Sequence, residues 1–330
     1  MEIIYKGVTS LSQAYRKEKY AELCKIEKSI PIFSRDWWLD AVCGAENWDV
    51  IIIDVDGQII ASMPYAIKVK NGFRFISQPI LTQTLGPWIR DFNSKYSTKL
   101  ANEKKIFSTL IDELPDYDKF HQHWHFKNTN WLPFFWKGFS QTTRVTYRLK
   151  SLEDIEGVYN SFSGNIRREI KKAIRHKITI DDSPDIDDFI ALNKLVFSRQ
   201  GIKTPYDEAQ VKLIHEACQR HQNSRIFIAR DTEGKCHAGI YLIWDEMSAY
   251  YLMGGGDPEL RASGATSLCM WEAIKFASTV TSSFDFEGTM LESVERYFRA
   301  FGARQVQYHS VSKLNSRTLK LIDALKLVVS

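Results

Sequence analysis

Two stretches of the chain carry the same order of apolar and polar positions. Residues 50–65 read VIIIDVDGQIIASMPY and residues 227–242 read FIARDTEGKCHAGIYL: an apolar strand, an acidic-glycine turn, and a second strand. Asp56-Gly57 and Glu233-Gly234 are hairpin signals, because glycine accepts the positive φ of such turns without a steric cost. Gly57 and Gly234 lie 177 positions apart, and Ala61 and Ala238 keep the same offset. In the second half the pattern continues with a strand at 248–253, a helix at 265–277, a strand at 283–286, a short helix at 292–300 and a strand at 305–311. The first half offers the counterparts at 73–77, about 99–113, 120–126, 131–136 and 142–149. The texture matches late in each run, Phe134-Phe-Trp-Lys-Gly-Phe139 beside Tyr297-Phe-Arg-Ala-Phe-Gly302. Seven elements in one order predict two copies of a single α/β fold with a mixed sheet. The alternation over 142–149 is expected to close the first sheet, and Ser151 followed by acids reads as a helix start. That places the boundary near 150, with domains 1–150 and 151–330.

Length agrees, since 330 residues suffice for two cores. Lys and Arg number 44 against 40 Asp and Glu, a net charge of +4 that excludes binding nucleic acid through charge alone. No apolar run approaches the ~18 residues of a membrane span. Met1-Glu-Ile-Ile-Tyr-Lys6 lacks the basic flank and apolar core of a signal peptide. Cys24, Cys43, Cys218, Cys236 and Cys269 are odd in number and form no C-x-x-C pair, which argues against disulfide scaffolds and zinc ribbons and for buried filler. The expectation is a soluble cytoplasmic protein.

Residues 164–176 carry Ile166, Ile170, Ala173 and Ile174 at helical spacing, with Arg167, Arg168, Lys171, Lys172 and Arg175 around the rest. This helix is either a solvated face or a clamp for phosphates. After the strand Ala249-Tyr-Tyr-Leu-Met253 comes a turn with Gly254, Gly255 and Gly256, then Arg261-Ala-Ser-Gly264-Ala265-Thr266 and a helix. A strand passing through a flexible turn into a helix N-terminus is anion-binding geometry. The turn fits neither G-x-x-x-x-G-K-[ST] nor G-x-G-x-x-G.

Arg261-Ala-Ser-Gly264-Ala-Thr266 resembles the [QR]-x-x-G-x-[GA] pyrophosphate loop of GNAT acyltransferases, departing from it at Thr266. The chain is similar to the FemABX branch of that superfamily, which carries two GNAT-like domains in tandem. The segments that carry the resemblance are Asn165-Ile-Arg-Arg-Glu-Ile-Lys-Lys-Ala173, Tyr250-Tyr-Leu-Met-Gly-Gly-Gly-Asp-Pro-Glu-Leu-Arg261, Trp271-Glu-Ala-Ile-Lys275, Phe284-Asp-Phe-Glu-Gly288 and Tyr297-Phe-Arg-Ala-Phe-Gly302. It covers most of 151–311 closely and the first half loosely. The resemblance implies transfer of an activated acyl or aminoacyl group to an amine. The donor would be acyl-coenzyme A or aminoacyl-tRNA and the acceptor a small molecule, a sugar or a cell-envelope precursor, with no metal. The helical hairpin of many tRNA-dependent members has no counterpart here, as in the compact members. By the same resemblance Gly254, Gly255, Gly256, Arg261, Gly264 and Ala265 would hold the donor, and Tyr251 would stand at the substrate cleft. Arg299, where the family has Lys, would steady the oxyanion, with Arg296 the alternative. Arg199, Lys203 and Tyr206 would face the acceptor.

Acyl transfer needs a neutral nucleophile, a polarised carbonyl and a protonated leaving group. In Phe284-Asp-Phe-Glu287 the two acids alternate, so a strand would put Asp285 and Glu287 on one face, with Glu287 the base and Asp285 binding substrate or pairing with an arginine. His121, His123 and His125 also alternate, but no acid or cysteine accompanies them, which favours a polar wall over a metal site. Trp131, Phe134, Phe135 and Trp136 read as core or as the lining of a sugar or lipid-linked acceptor site. A non-catalytic module recognising a cell-envelope precursor, and a nucleic-acid binder working through the basic helix, are the competing readings.

Overall fold

The computed structural model describes residues 6–7, 12–199, 201–288 and 290–329. In chain order the first elements are β1 (Lys6–Gly7), α1 (Gln13–Ile26), α2 (Asp36–Cys43), β2 (Trp48–Val55), β3 (Gln58–Lys70), β4 (Phe73–Ser77), β5 (Trp88–Ile89), α3 (Tyr96–Asp112), β6 (Lys119–His123), α4 (Leu132–Trp136) and β7 (Ser140–Leu149). Then come α5 (Ile155–Ser161), α6 (Gly164–Arg175), β8 (Thr179–Asp181), α7 (Ile186–Arg199), α8 (Glu208–Arg220), β9 (Ser224–Arg230), β10 (Cys236–Trp244) and β11 (Ala249–Gly256). A short 3-10 turn, Arg261–Ser263, leads to α9 (Ala265–Val280), β12 (Phe284–Asp285), α10 (Glu292–Arg299), β13 (Arg304–Leu314) and α11 (Arg317–Val329). The fold is mixed α/β, as the pattern of the sequence implies.

The chain divides into two compact units, one of residues 1–144 with 307–330 and one of residues 145–306. In the first unit the strands run β1-β2-β3-β4-β6-β13. β2, β3 and β4 are antiparallel, β4 and β6 are parallel, and β13 is antiparallel to β6. The second unit runs β8-β9-β10-β11-β12-β7, with β9, β10 and β11 antiparallel, β11 and β12 parallel, and β7 antiparallel to β12. Set aside the edge strands β1 and β8, and the two orders are the same. The last strands of the two sheets differ from the sequence reading. The strand at 142–149 does not close the first sheet: Leu149 pairs with Phe284 and Arg148 with Asp285, while the partner of β6 is β13. Alternation specifies a strand and its buried face, but not its neighbour.

Local chemistry sets these elements. Asp56 and Gly57 both have positive φ (53° and 82°) between Val55 and its partner Gln58, the two-residue turn whose twist suits a hairpin. Asn71 and Gly72 repeat it between β3 and β4 (52° and 79°). β2 is buried from Trp48 to Ile53, and with β3, α3 and β6 it encloses a core around Ile51, Met63, Phe107, Phe120, Trp124 and Phe134. In the second unit α6 and α9 cover the sheet around Phe227, Leu242, Met270, Phe284 and Phe301. Gly239 sits under Phe189 and Leu192 of α7, so that helix lies close on β10.

Candidate functional site

The site of the second unit begins with an irregularity. Tyr241 pairs with Met253 but Leu242 with Tyr251, so Leu252 is an extra residue, a β-bulge in β11. β12 pairs with β11 only at Ala249 and Tyr250. From Tyr251 to Gly256, therefore, β11 keeps β10 on one edge and, among the described residues, has no strand on the other. The sheet opens at the carboxyl end of its parallel pair, where α/β sheets leave room for ligands.

The three glycines were expected in a turn; they are the last residues of β11, paired with Ile240, Gly239 and Ala238. At two of them the lack of a side chain has a local cause. A Cβ on Gly254 would overlap the Tyr251 hydroxyl, and one on Gly255 would stand 2.7 Å from the Asn193 backbone nitrogen of α7. Residues three apart normally face opposite sides of a strand; the bulge brings Tyr251 over Gly254. Asn193 ties the region together, donating from Nδ2 to the Gly254 carbonyl (2.7 Å) and accepting at Oδ1 from the Tyr206 hydroxyl (2.8 Å). Tyr206, Lys203, Thr204, Asn193, Val211 and Met253 line a cavity of about 210 Å³. The side chain of Arg199 lies outside the described residues.

Glu287 follows the end of β12. Its φ is +52°, a left-handed conformation that non-glycine residues seldom adopt. The backbone amide of Glu287 donates to Asp285 Oδ1 at 2.9 Å. Its Oε1 is buried with no hydrogen-bond partner among the described residues. Burial, and secondarily the Asp285 carboxylate, raise its pKa well above the ordinary glutamate value. Tyr251 is raised too, by burial first and then by Cys269, Tyr206 and Glu287. Those mutual effects place Tyr206, Tyr251 and Glu287 in one neighbourhood. Tyr297 of α10 joins them, raised by burial and then by Tyr251, and Phe298 packs edge-on against Tyr251 at 5.8 Å.

β12 ends at Asp285, so the strand alternation expected to carry both acids does not extend to Glu287. The Asp285 carboxylate is committed within the fold: it accepts from the Thr146 hydroxyl, stands 3.2 Å from Arg148 Nε, and takes the Glu287 amide. At 2% exposure it is a buried anchor with little left for a substrate. Arg299 is exposed on α10, with Nε 2.8 Å from Glu295. Glu295 in turn accepts from the Tyr147 hydroxyl at 2.6 Å. Arg299 thus lies on the exposed side of α10, while Phe298 of the same helix is buried.

Of the residues expected to hold the donor, Gly264 has φ +81° and precedes α9, and a Cβ there would overlap the Glu169 carbonyl of α6. Ala265 is buried, while Arg261 is exposed. Ser263 accepts from the Ala265 amide at 3.3 Å and contacts His237 Nδ1 at 3.0 Å, and His237 Nε2 lies 3.1 Å from Asp231. This relay, which the sequence did not disclose, pins the α9 entry to the β9–β10 turn. On α6, no ion pair is formed by Arg167, Arg168, Lys171, Lys172 or Arg175 among the described residues. Ile174, expected on the apolar face, is 58% exposed.

In the first unit His121 and His123 share a face of β6, their rings 4.8 Å apart, with His121 Nε2 3.1 Å from Ser310 Oγ. His125 lies beyond the strand and is buried. Among the described residues no three His, Cys, Asp or Glu side chains are grouped to hold a metal ion. No described helix is long and apolar enough to cross a membrane.

Residues 160–299 match the family described as acetyltransferase (GNAT) domain. No curated protein is significantly similar in sequence. Among solved structures, FemX is similar at a TM-score of 0.68 and 14% identity over 98% of each chain. A conserved protein of unknown function from Bacteroides thetaiotaomicron is similar at 0.56 and 11% identity, over 95% of this chain and 100% of that one. The C-terminal domain of a candidate lysylphosphatidylglycerol synthetase from Agrobacterium fabrum follows at 0.54 and 12%, over 96% and 97%. The chain has the fold of FemX over its whole length, and residues 160–299 within it match the acetyltransferase (GNAT) domain family.

Proposed function

We propose that the protein is an N-acyltransferase that moves an acyl or aminoacyl group from a phosphate-bearing donor, acyl-coenzyme A or aminoacyl-tRNA, to the amine of a cell-envelope or sugar-type acceptor. The observation that carries this reading is the buried, unpartnered Oε1 of Glu287 beside Tyr251, at the opening of a GNAT-type sheet. An isolated buried carboxylate is costly, and such a cost is retained where the group has work to do. The unpaired edge of β11 offers backbone groups to an extended donor, and the cations of α6 suit its phosphates.

An incoming ammonium would ionise Glu287 by charge pairing and then give up a proton to it. The freed nitrogen lone pair attacks the donor carbonyl, forming the C–N bond as the bond to sulfur or ester oxygen breaks. Tyr251, protonated because burial raises its pKa, gives its proton to the leaving group and regains one from the amine by way of Glu287. Tyr206 and Lys203 border the acceptor side. Arg299 has no part in this scheme, since it is exposed and paired with Glu295.

Titration of acetyl-coenzyme A and of aminoacyl-tRNA, followed by thermal shift and filter binding, tests the donor. Saturable binding of one that weakens when Lys171 and Lys172 become Ala supports the reading. Binding of neither donor would favour a non-catalytic module.

A further inference from the structure

A cavity of about 720 Å³ is lined entirely by residues of the first unit, whereas the Glu287 cluster belongs to the second. It lies within the range of small-molecule sites, about 300–1,000 Å³. Its wall comes from four segments: the approach to α2, the stretch following β5, the first turns of α3, and the loop leading into α4. In the second unit the start of the corresponding helix, α9, is covered by α6 at Gly264; the start of α3 borders open space instead.

The lining has a particular chemistry. Two of its three cations have carboxylate partners: Arg90 Nη1 donates to Glu27 at 2.8 Å, and Lys99 Nζ lies 3.6 Å from Asp91, while Lys127 stands on the loop into α4. Asn130 Nδ2 donates to Glu103 at 2.9 Å and Asn128 Nδ2 to the Pro87 carbonyl at 2.6 Å, which leaves the amide oxygens to accept. Two aromatic faces stand beside them, half-buried Trp131 and Tyr96, the latter 75% exposed. Amides and a carboxylate for hydroxyl groups, aromatic faces for C–H surfaces and two cations committed to carboxylates together suit an uncharged polyhydroxylated ring. They suit a phosphate less well, since Arg90 and Lys99 are already held by carboxylates.

We propose that the first unit binds a neutral saccharide in this cavity, with Tyr96 and Trp131 as the stacking faces and Asn128, Asn130 and Glu103 as the hydroxyl partners. This goes beyond the transfer reaction and does not depend on it.

The test is titration of the full chain with cellobiose, maltose and chitobiose, with UDP as an anionic control, read by tryptophan fluorescence and saturation-transfer NMR. Saturable binding of a disaccharide is expected, weakened about tenfold or more by Tyr96→Ala and by Trp131→Ala. Glu287→Gln should bind it as the wild type does, which separates this proposal from the fate of the transferase reading. Tyr96 is exposed, so its variant keeps the test valid even if Trp131→Ala fails to fold. Absence of saturable binding to all three sugars, unchanged affinity in Tyr96→Ala, or preference for UDP would overturn the proposal.

Discussion

Tyr251 lies over Gly254: a Cβ on Gly254 would overlap the Tyr251 hydroxyl. The bulge at Leu252 turns both positions to one side of β11, and Asn193 holds the Gly254 carbonyl from α7. Gly254→Ala must therefore displace the tyrosine. Overpacking of this kind costs ~1–3 kcal/mol. The expected result is a protein that folds with a lowered Tm and turns over at least tenfold more slowly. A variant with wild-type rate would show that the placement of Tyr251 is immaterial.

Glu287 opposes stability where it supports function. Its folded pKa lies above the unfolded one, so the folded state binds the proton more tightly. As pH rises above the unfolded value the folded protein loses stability, and the penalty is complete once pH passes the folded pKa. Glu287→Gln should raise Tm, more at pH 8 than at pH 5. Equal or falling Tm across that range would mean that the carboxyl is well solvated or paired.

Asp285 has the opposite character. Removing one partner of a buried ion pair costs about 3–5 kcal/mol, because the other charge is left without its counter-ion. Asp285→Ala should destabilise the protein by this order in chemical denaturation, through Arg148, Thr146 and the Glu287 amide. A loss of activity at unchanged stability would restore Asp285 to the substrate side.

His123 is held neutral. Burial, then His121 and Arg144, lower its pKa to about 4. The unfolded chain takes up this proton near the ordinary histidine value, so stability is present above about pH 6.5 and is lost as pH falls toward 4. His123→Gln should flatten the fall in Tm between pH 6.5 and 4; an unchanged slope would assign the acid sensitivity elsewhere.

The duplicated hairpins were legible because Asp-Gly and Glu-Gly turns and an offset shared by Gly57 and Gly234 are local signals. Tyr251, Tyr206 and Glu287 could be singled out in the sequence, but not their gathering in one neighbourhood. The path of the last strand of each sheet was not legible, since 142–149 and 305–311 carry no mark of which neighbour they choose. Nor was the pairing of Arg299 with Glu295: four residues apart on a helix, they satisfy each other locally. Asp285 read as a substrate-binding residue or as the partner of an arginine, and the sequence did not mark Arg148 and Thr146, over 130 positions earlier, as its partners. The unit-1 cavity joins segments spread from Ser29 to Leu132, a separation that periodicity cannot bridge.

The central claim, amine acylation with Glu287 as proton acceptor, is tested most directly by single-turnover transfer. Acetyl-coenzyme A or aminoacyl-tRNA, whichever binds, would be mixed with glucosamine, lysine and glycyl peptides across pH 6 to 9 for wild type, Glu287→Gln and Arg299→Ala. The account predicts a wild-type rate that rises with pH as the raised carboxyl ionises. It predicts a loss of about 100-fold or more with Glu287→Gln at undiminished donor binding, and Arg299→Ala within a few-fold of wild type. A Glu287→Gln enzyme that transfers as fast as wild type with the same pH profile would contradict it.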